Sequence, residues 1–155
     1  MELKTKINAE DGRQDLVITR EFDLPVDLLF KAHTEPELIA QWMGTKVLKF
    51  DGHKHGSYRI ETNGPDGNVA FRANGTFHEF AVNKKLVRTF EMEGAPFGVQ
   101  LELIAFEELS DVTSKLTMHV IYESNEKRDQ LLKLPFAQGI NMAHNRIQEL
   151  FKTSS

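Results

Sequence analysis

The hydrophobic period of this chain changes twice, and the order of the changes leaves few architectures open. From Lys46 to Tyr122 apolar and polar residues alternate at period two. Turn signals interrupt the run at Asp51-Gly52, Asn63-Gly64-Pro65-Asp66-Gly67, Val82-Asn83-Lys84, Gly94-Ala95-Pro96 and Ser110-Asp111. On either side the spacing is helical. Near the end, Gly139 opens the amphipathic stretch Ile140-Asn141-Met142-Ala143-His144-Asn145-Arg146-Ile147-Gln148-Glu149-Leu150-Phe151. One long helix must therefore cover a sheet built by most of the chain, and that arrangement encloses a pocket.

The alternating run predicts six antiparallel strands, at about 46–50, 56–62, 69–80, 85–93, 98–108 and 112–122. Residues 15–22, alternating around Leu16, Ile18 and Phe22, add a first main strand, to which Leu3 to Asn8 can pair across Glu10-Asp11-Gly12. Each strand is expected to turn one face to the core and one to water. On that basis Val99, Leu101, Leu103 and Ala105 face inward and Gln100 and Glu102 outward, while Leu116, Met118 and Val120 oppose Lys115, Thr117 and His119.

Pro25 suits the first turn of a short helix carrying Val26, Leu29, Phe30 and His33. Thr34, with Glu37 three residues on, reads as a capping box for a second short helix, which Gly44 ends in the left-handed conformation. After Ser124 the helical period returns. Pro135 predicts a break, with a turn or two over 125–132 before it and the main helix over roughly 135–151 after it. The stripe Phe136, Ile140, Ala143 or His144, Ile147 and Leu150 or Phe151 faces the sheet.

Composition narrows the functional classes. A chain of 155 residues fits one domain spanning 1–155 and can bury about 68–70% of its unfolded surface. Cysteine is absent, which removes disulfides, thiolate nucleophiles and cysteine metal sites and suits a cytoplasmic setting. Met1-Glu2-Leu3-Lys4-Thr5-Lys6 lacks the apolar core of a signal peptide, and no apolar run approaches the ~18 residues of a membrane helix, so no stable membrane association is expected. A formal net charge of −4 with scattered basic residues argues against nucleic acid.

Three stretches carry a family resemblance: Arg20-Glu21-Phe22-Asp23-Leu24-Pro25, followed by Phe30-Lys31-Ala32-His33-Thr34-Glu35-Pro36-Glu37-Leu38 and Gln41-Trp42-Met43-Gly44; Gly56-Ser57-Tyr58-Arg59; and Gly139 to Leu150. They resemble the helix-grip superfamily that includes START domains and birch-pollen-allergen-like proteins. More narrowly, they resemble the bacterial family named after the activator of the ninety-kilodalton heat-shock-protein ATPase. The chain departs from that pattern at Met43, Thr45, His53-Lys54-His55, Ile140 and His144. The resemblance implies an α+β helix-grip fold: a curved antiparallel sheet of about seven strands wrapped around a long C-terminal helix, with a short helical hairpin after the first main strand. It also implies a cavity between sheet and helix lined by Trp42, Tyr58, Phe77, Phe90, Leu103, Met118, Phe136 and Ile140. The bland alternative is that these residues simply pack the core.

Helical spacing sets His144 beside Ile140 and Ile147, near the buried stripe, where a neutral imidazole needs a partner: it either bonds a ligand on the cavity floor or is a boundary histidine that leans to solvent or bonds a strand carbonyl. His78, Glu79 and Arg88 add polarity if a bulge near Gly75 turns them inward. Asp51, His53 and His55 are the one local cluster with metal-ligand chemistry; without a further ligand at a diagnostic spacing they read as a solvated loop, and no metal is expected. No nucleophile elbow, phosphate loop or dinucleotide fingerprint occurs, so no catalytic residue and no cofactor are expected. Binding of a small, largely apolar molecule is the leading expectation. A cyclase- or dehydratase-like enzyme using the same cavity comes second. A co-chaperone comes third, because in the eukaryotic activators a separate N-terminal domain makes major chaperone contacts and 155 residues leave no room for it.

Overall fold

In the computed structural model, which describes residues 3–152, the period-two segments pair into one antiparallel sheet. Its strands are β1 (Lys6–Asn8), β2 (Asp15–Phe22), β3 (Lys46–Phe50), β4 (Ser57–Asn63), β5 (Val69–Ala81), β6 (Lys85–Met92), β7 (Val99–Glu108) and β8 (Ser114–Ile121). The order across the sheet is β1-β2-β8-β7-β6-β5-β4-β3. Eight strands form, one more than the about seven of the resemblance; the three-residue β1 lies within the Leu3 to Asn8 segment expected to pair with β2. Helices α1 (Val26–Thr34) and α2 (Pro36–Met43) carry the chain from β2 across to the far edge at β3, and α3 (Asn125–Leu132) and α4 (Phe136–Leu150) follow β8. This is the α+β helix-grip arrangement, a curved sheet closing on a C-terminal helix. No helix of the described residues is long and apolar enough to cross a membrane.

The concave face carries Leu16, Ile18 and Phe22 of β2, Leu116, Met118 and Val120 of β8, and Ile104 and Phe106 of β7, all buried. At one end of the trough α1 drives Phe30 between Phe106, 5.0 Å away, and Phe80, 5.7 Å away, both edge to face. Phe77 and Phe80 continue the same cluster at 5.4 Å. Such ring pairs contribute beyond their buried area, and together they fill this end solidly. The other end is covered differently. Helix α4 packs chiefly against α2 and α3, and only His144 and Ile147 along it are fully buried.

Polar bonds hold α4 over the sheet. Arg20, 3% exposed on β2, donates from Nη1 to Asn145 Oδ1 at 2.7 Å. Arg146 Nε donates to the Trp42 carbonyl at 2.7 Å, and Gln148 Oε1 accepts from the Asp23 amide at 2.9 Å. The N-terminal segment closes the side, where the Thr5 amide donates to Asn141 Oδ1 at 3.1 Å.

Local chemistry explains where expectation and structure part. The capping box does not form. Pro36 occupies the first position of α2, Glu35 becomes its N-cap, and the Thr34 hydroxyl donates to the Phe30 carbonyl at 2.9 Å instead. Gly44 ends α2 at φ 63° and ψ 45°, in the left-handed conformation expected of it. The break at Pro135 also forms, between Leu132 and Phe136.

Strand β7 presents the face opposite to the one expected. Ile104 and Phe106 point into the trough, so Gln100 and Glu102 point inward with them, while Val99, Leu101, Leu103 and Ala105 lie on the convex side. A period of two leaves only these alternatives. The choice goes to the set containing Ile104 and Phe106 because Glu102 gains partners there: Arg88 is its cross-strand neighbour on β6. The β5 irregularity lies between Phe77 and Glu79, slightly beyond Gly75.

Gly75 has a separate role. Tyr58 crosses over it from β4 to donate to the Thr89 carbonyl at 2.6 Å, and a Cβ at residue 75 would collide with that carbonyl oxygen and with the Tyr58 ring. Gly75→Ala is expected to cost about 1–3 kcal/mol or more by overpacking, read as a lowered urea midpoint. Gly67→Ala, with open space at its Cβ but φ +83°, is the milder comparison.

Candidate functional site

Because α4 is held over the trough, side chains do not fill the space beneath its first half, and a cavity of about 340 Å³ remains. From α4 it is lined by Phe136, Gly139, Ile140, Ala143 and His144, and from α2 by Trp42 and Met43. Strands β6, β7 and β8 contribute Phe90 and Met92, Gln100 and Glu102, and Met118. Phe97 of the β6–β7 turn and Leu131 of α3 also line it. Phe97, Leu131, Phe136 and Ile140 are only half-buried and Gly139 is exposed, whereas Trp42, Met118 and His144 are buried. The cavity therefore opens near the start of α4 and deepens toward α1 and α2.

The walls are apolar except for five side chains: His33, Arg88, Gln100, Glu102 and His144. Arg88 Nε donates to Glu102 Oε1 at 2.7 Å, and Gln100 Nε2 donates to Glu102 Oε2 at 2.8 Å. The Arg88 guanidinium stacks over the Tyr58 ring at 5.3 Å. Burial opposes its charge, yet Glu102 and the facing Tyr58 outweigh that penalty and hold its pKa above the ordinary value.

His33 sits in the last turn of α1 with its ring 5.3 Å from those of Trp42 and Phe106. Its Nδ1 bonds the Leu29 carbonyl at 2.9 Å. His144 Nδ1 lies 2.7 Å from the Thr5 hydroxyl, and its ring stands edge-on to Phe22 at 5.7 Å. Burial lowers the pKa of His33 to about 4, with the Leu29 bond resisting and the Arg88 charge assisting. Burial likewise takes His144 down to about 3, assisted by His33 and Arg20. Both imidazoles are neutral at pH 7.

Of the residues expected to line a cavity, Trp42, Phe90, Met118, Phe136, Ile140 and His144 come together here. Tyr58, Phe77 and Leu103 do not. Phe77 stacks among Tyr58, Phe50 and Phe80, so its ring belongs to the solid end of the trough. Tyr58 stands behind Arg88, and Leu103 is turned outward with the rest of its β7 face. His78 and Glu79 are exposed at the β5 irregularity, while Arg88 points inward. His33, Gln100 and Glu102 were not foreseen. The Arg88–Glu102 pair was accessible to counting: both residues lie on one face of a hairpin and equally far from its turn. Asp51, His53 and His55 form a turn in which His53 Nδ1 bonds the Lys54 carbonyl at 3.0 Å and the His55 ring faces His78 at 6.5 Å. Among the described residues no group of three or more His, Cys, Asp or Glu side chains could hold a metal ion.

Comparison with known proteins agrees with this architecture. A family model described as activator of Hsp90 ATPase homolog 1-like protein matches residues 23–152. The fold is shared with protein Ms6760 from Mycobacterium smegmatis at 20% identity and a TM-score of 0.86, over 98% of this chain and 99% of that one. A protein from Arthrobacter aurescens superposes at 18% identity and 0.84, over 94% and 90% of the two chains. One from Nitrosomonas europaea does so at 24% identity and 0.76, over 91% and 96%. No curated protein matches the chain.

The two imidazoles predict how stability depends on acidity. In the unfolded chain each histidine takes up a proton as the pH falls through about 6.5. The folded chain resists until about 4 for His33 and about 3 for His144. The unfolded state thus binds more protons throughout that window, so the stabilisation is complete above pH 6.5 and is lost as the pH falls toward 3. Urea melts are expected to lose about 2–4 kcal/mol between pH 7 and pH 5. His144→Gln should remove about half of that slope. Asp15, held low by Arg13 and His119, adds its own loss only at more acid pH.

Proposed function

The chain belongs to the activator of Hsp90 ATPase homolog 1-like family, and from that membership and the cavity we propose that it binds a small, largely hydrophobic molecule between the curved sheet and α4. One observation carries the proposal: an opening of about 340 Å³, walled by aromatic, methionine and aliphatic side chains, with a few polar groups at its closed end. Ligand sites are typically concave, mostly apolar and about 300–1,000 Å³, so this cavity suits a molecule of two or three fused or linked rings better than a long lipid chain. Trp42, Phe90, Met118, Phe136, Ile140 and His144 are the proposed contacts.

The rigidity of one end and the gap at the other suit this role. The aromatic cluster around Phe30 fixes the sheet, and the bonds from Arg20, Arg146 and Gln148 fix α4. A ligand entering near Gly139 therefore meets walls already in position, which lowers the ordering cost of binding. An acid–base reaction draws less support, since imidazoles with pKa near 3 and 4 are weak proton acceptors at pH 7. The chaperone relation in the family's description draws on no feature of this cavity.

The neutral dye N-phenyl-1-naphthylamine is expected to bind at micromolar concentration and to change the emission of Trp42, the only tryptophan. Ile140→Trp should weaken the dye at least tenfold while costing less than about 1 kcal/mol of stability, whereas overpacking a filled core typically costs about 1–3 kcal/mol. Absence of dye binding together with severe destabilisation of that variant would contradict the reading.

A further inference from the structure

We propose that the molecule held in the cavity carries a hydroxyl group, phenolic or alcoholic, that donates a hydrogen bond to Nε2 of His33. The inference rests on the binding reading above and adds the chemical class of the ligand.

His33 Nδ1 lies 2.9 Å from the Leu29 carbonyl oxygen. A carbonyl oxygen only accepts, so the proton of the ring must sit on Nδ1. The neutral ring has a single proton, and Nε2 is left as a bare lone pair. The ring stays neutral because it is 3% exposed and has Arg88 for a neighbour. An unprotonated Nε2 can accept a hydrogen bond and cannot donate one.

Among the described residues nothing uses that lone pair. No described residue donates to His33 Nε2, and among the described residues the only buried polar side-chain atoms without a partner are Arg20 Nε and Tyr122 Oη. His33 Nε2 is thus reached from the cavity that the residue lines. The neighbouring polar groups leave the vacancy in place. Arg88 Nε and Gln100 Nε2 both donate to Glu102 and His144 Nδ1 pairs with Thr5, while neither the terminal nitrogens of Arg88 nor His144 Nε2 bonds His33.

The imidazole is also held in aim. Trp42 and Phe106 pack on it at 5.3 Å each, the Leu29 bond fixes its rotation, and Trp42 is itself pinned by a 2.7 Å bond from its indole nitrogen to the Ala32 carbonyl. A fixed acceptor at the closed end of an apolar cavity discriminates by chemistry. A ligand that brings O–H satisfies it, and a ligand that brings a methyl group leaves it dehydrated and unpaired.

The test compares 2-naphthol with 2-methylnaphthalene on the unaltered protein, each by displacement of N-phenyl-1-naphthylamine. The two probes have nearly the same shape, and hydrophobicity alone favours the methyl compound. The proposal expects 2-naphthol to bind about tenfold tighter or more. It also expects the ¹⁵N resonance of His33 Nε2 to move with 2-naphthol and stay still with 2-methylnaphthalene. In His33→Phe, which keeps an aromatic ring beside Trp42 and Phe106, the two affinities should converge. Equal binding of both probes by the unaltered protein overturns the hydroxyl assignment and leaves apolar binding standing. A hydroxyl preference that persists in His33→Phe, with a silent Nε2 resonance, assigns the donor to another acceptor such as Glu102 and overturns the role of His33. Binding of neither probe overturns the cavity reading and this inference with it.

Discussion

The position of α4 over the sheet governs everything else in this molecule, and a buried cation fixes it. Arg20 points from β2 into the trough with almost no exposure, and its bonds run to Asn145 and, more weakly, to Asn141 on α4. A guanidinium left unpaired in such a place would be very costly, so the helix is held where those amides can reach it. The Arg146 bond to the Trp42 carbonyl adds a second fixed point, on α2. With Asn145 and Arg146 tied in this way, the helix is not free to settle onto the strands.

The consequence is an uneven interior. Beneath α1 the trough is packed with interlocking rings. Beneath the first half of α4 it is not. Phe136 and Ile140 remain half-buried although they lie on the apolar stripe of the helix. The polar groups at the closed end are held in pairs: Glu102 by Arg88 and Gln100, one nitrogen of His144 by Thr5, and one nitrogen of His33 by Leu29. What remains is an apolar cleft in which His33 Nε2 is an acceptor held in place without a partner among the described residues. Its neutral imidazoles are bought with stability at low pH.

Much of this was legible in the chain. The strands declare themselves because alternation and turn residues agree, as in the run from Leu116 to Val120, and the C-terminal helix because its stripe is spaced by three and four. Gly44 announced its left-handed turn. The β7 face was not legible, since Leu101 with Leu103 and Ile104 with Phe106 make two competing apolar sets, and register with β6 decides between them. His33 was visible only as one of several residues on α1; its bond to Leu29 and its place against Trp42 depend on how α1 and α2 meet. Glu102 looked like a solvated charge because the β7 face was read the other way, although its hairpin partner Arg88 can be counted from the turn. Most residues whose role is local were readable, the Thr34–Glu37 capping box excepted, while burial that depends on an interhelical or inward-facing partner was not.

The central claim is that the space under α4 is where a ligand goes, and the methionines report on it directly. Met43, Met92 and Met118 line the cavity, while Met142 is 50% exposed on the outer side of α4. Protein labelled with ¹³C at its methionine methyl groups can be titrated with N-phenyl-1-naphthylamine and followed by NMR. The account predicts that the Met43, Met92 and Met118 resonances move together to saturation and that Met142 stays in place. Movement of Met142 with the other three unchanged would show the dye on the surface and contradict the claim.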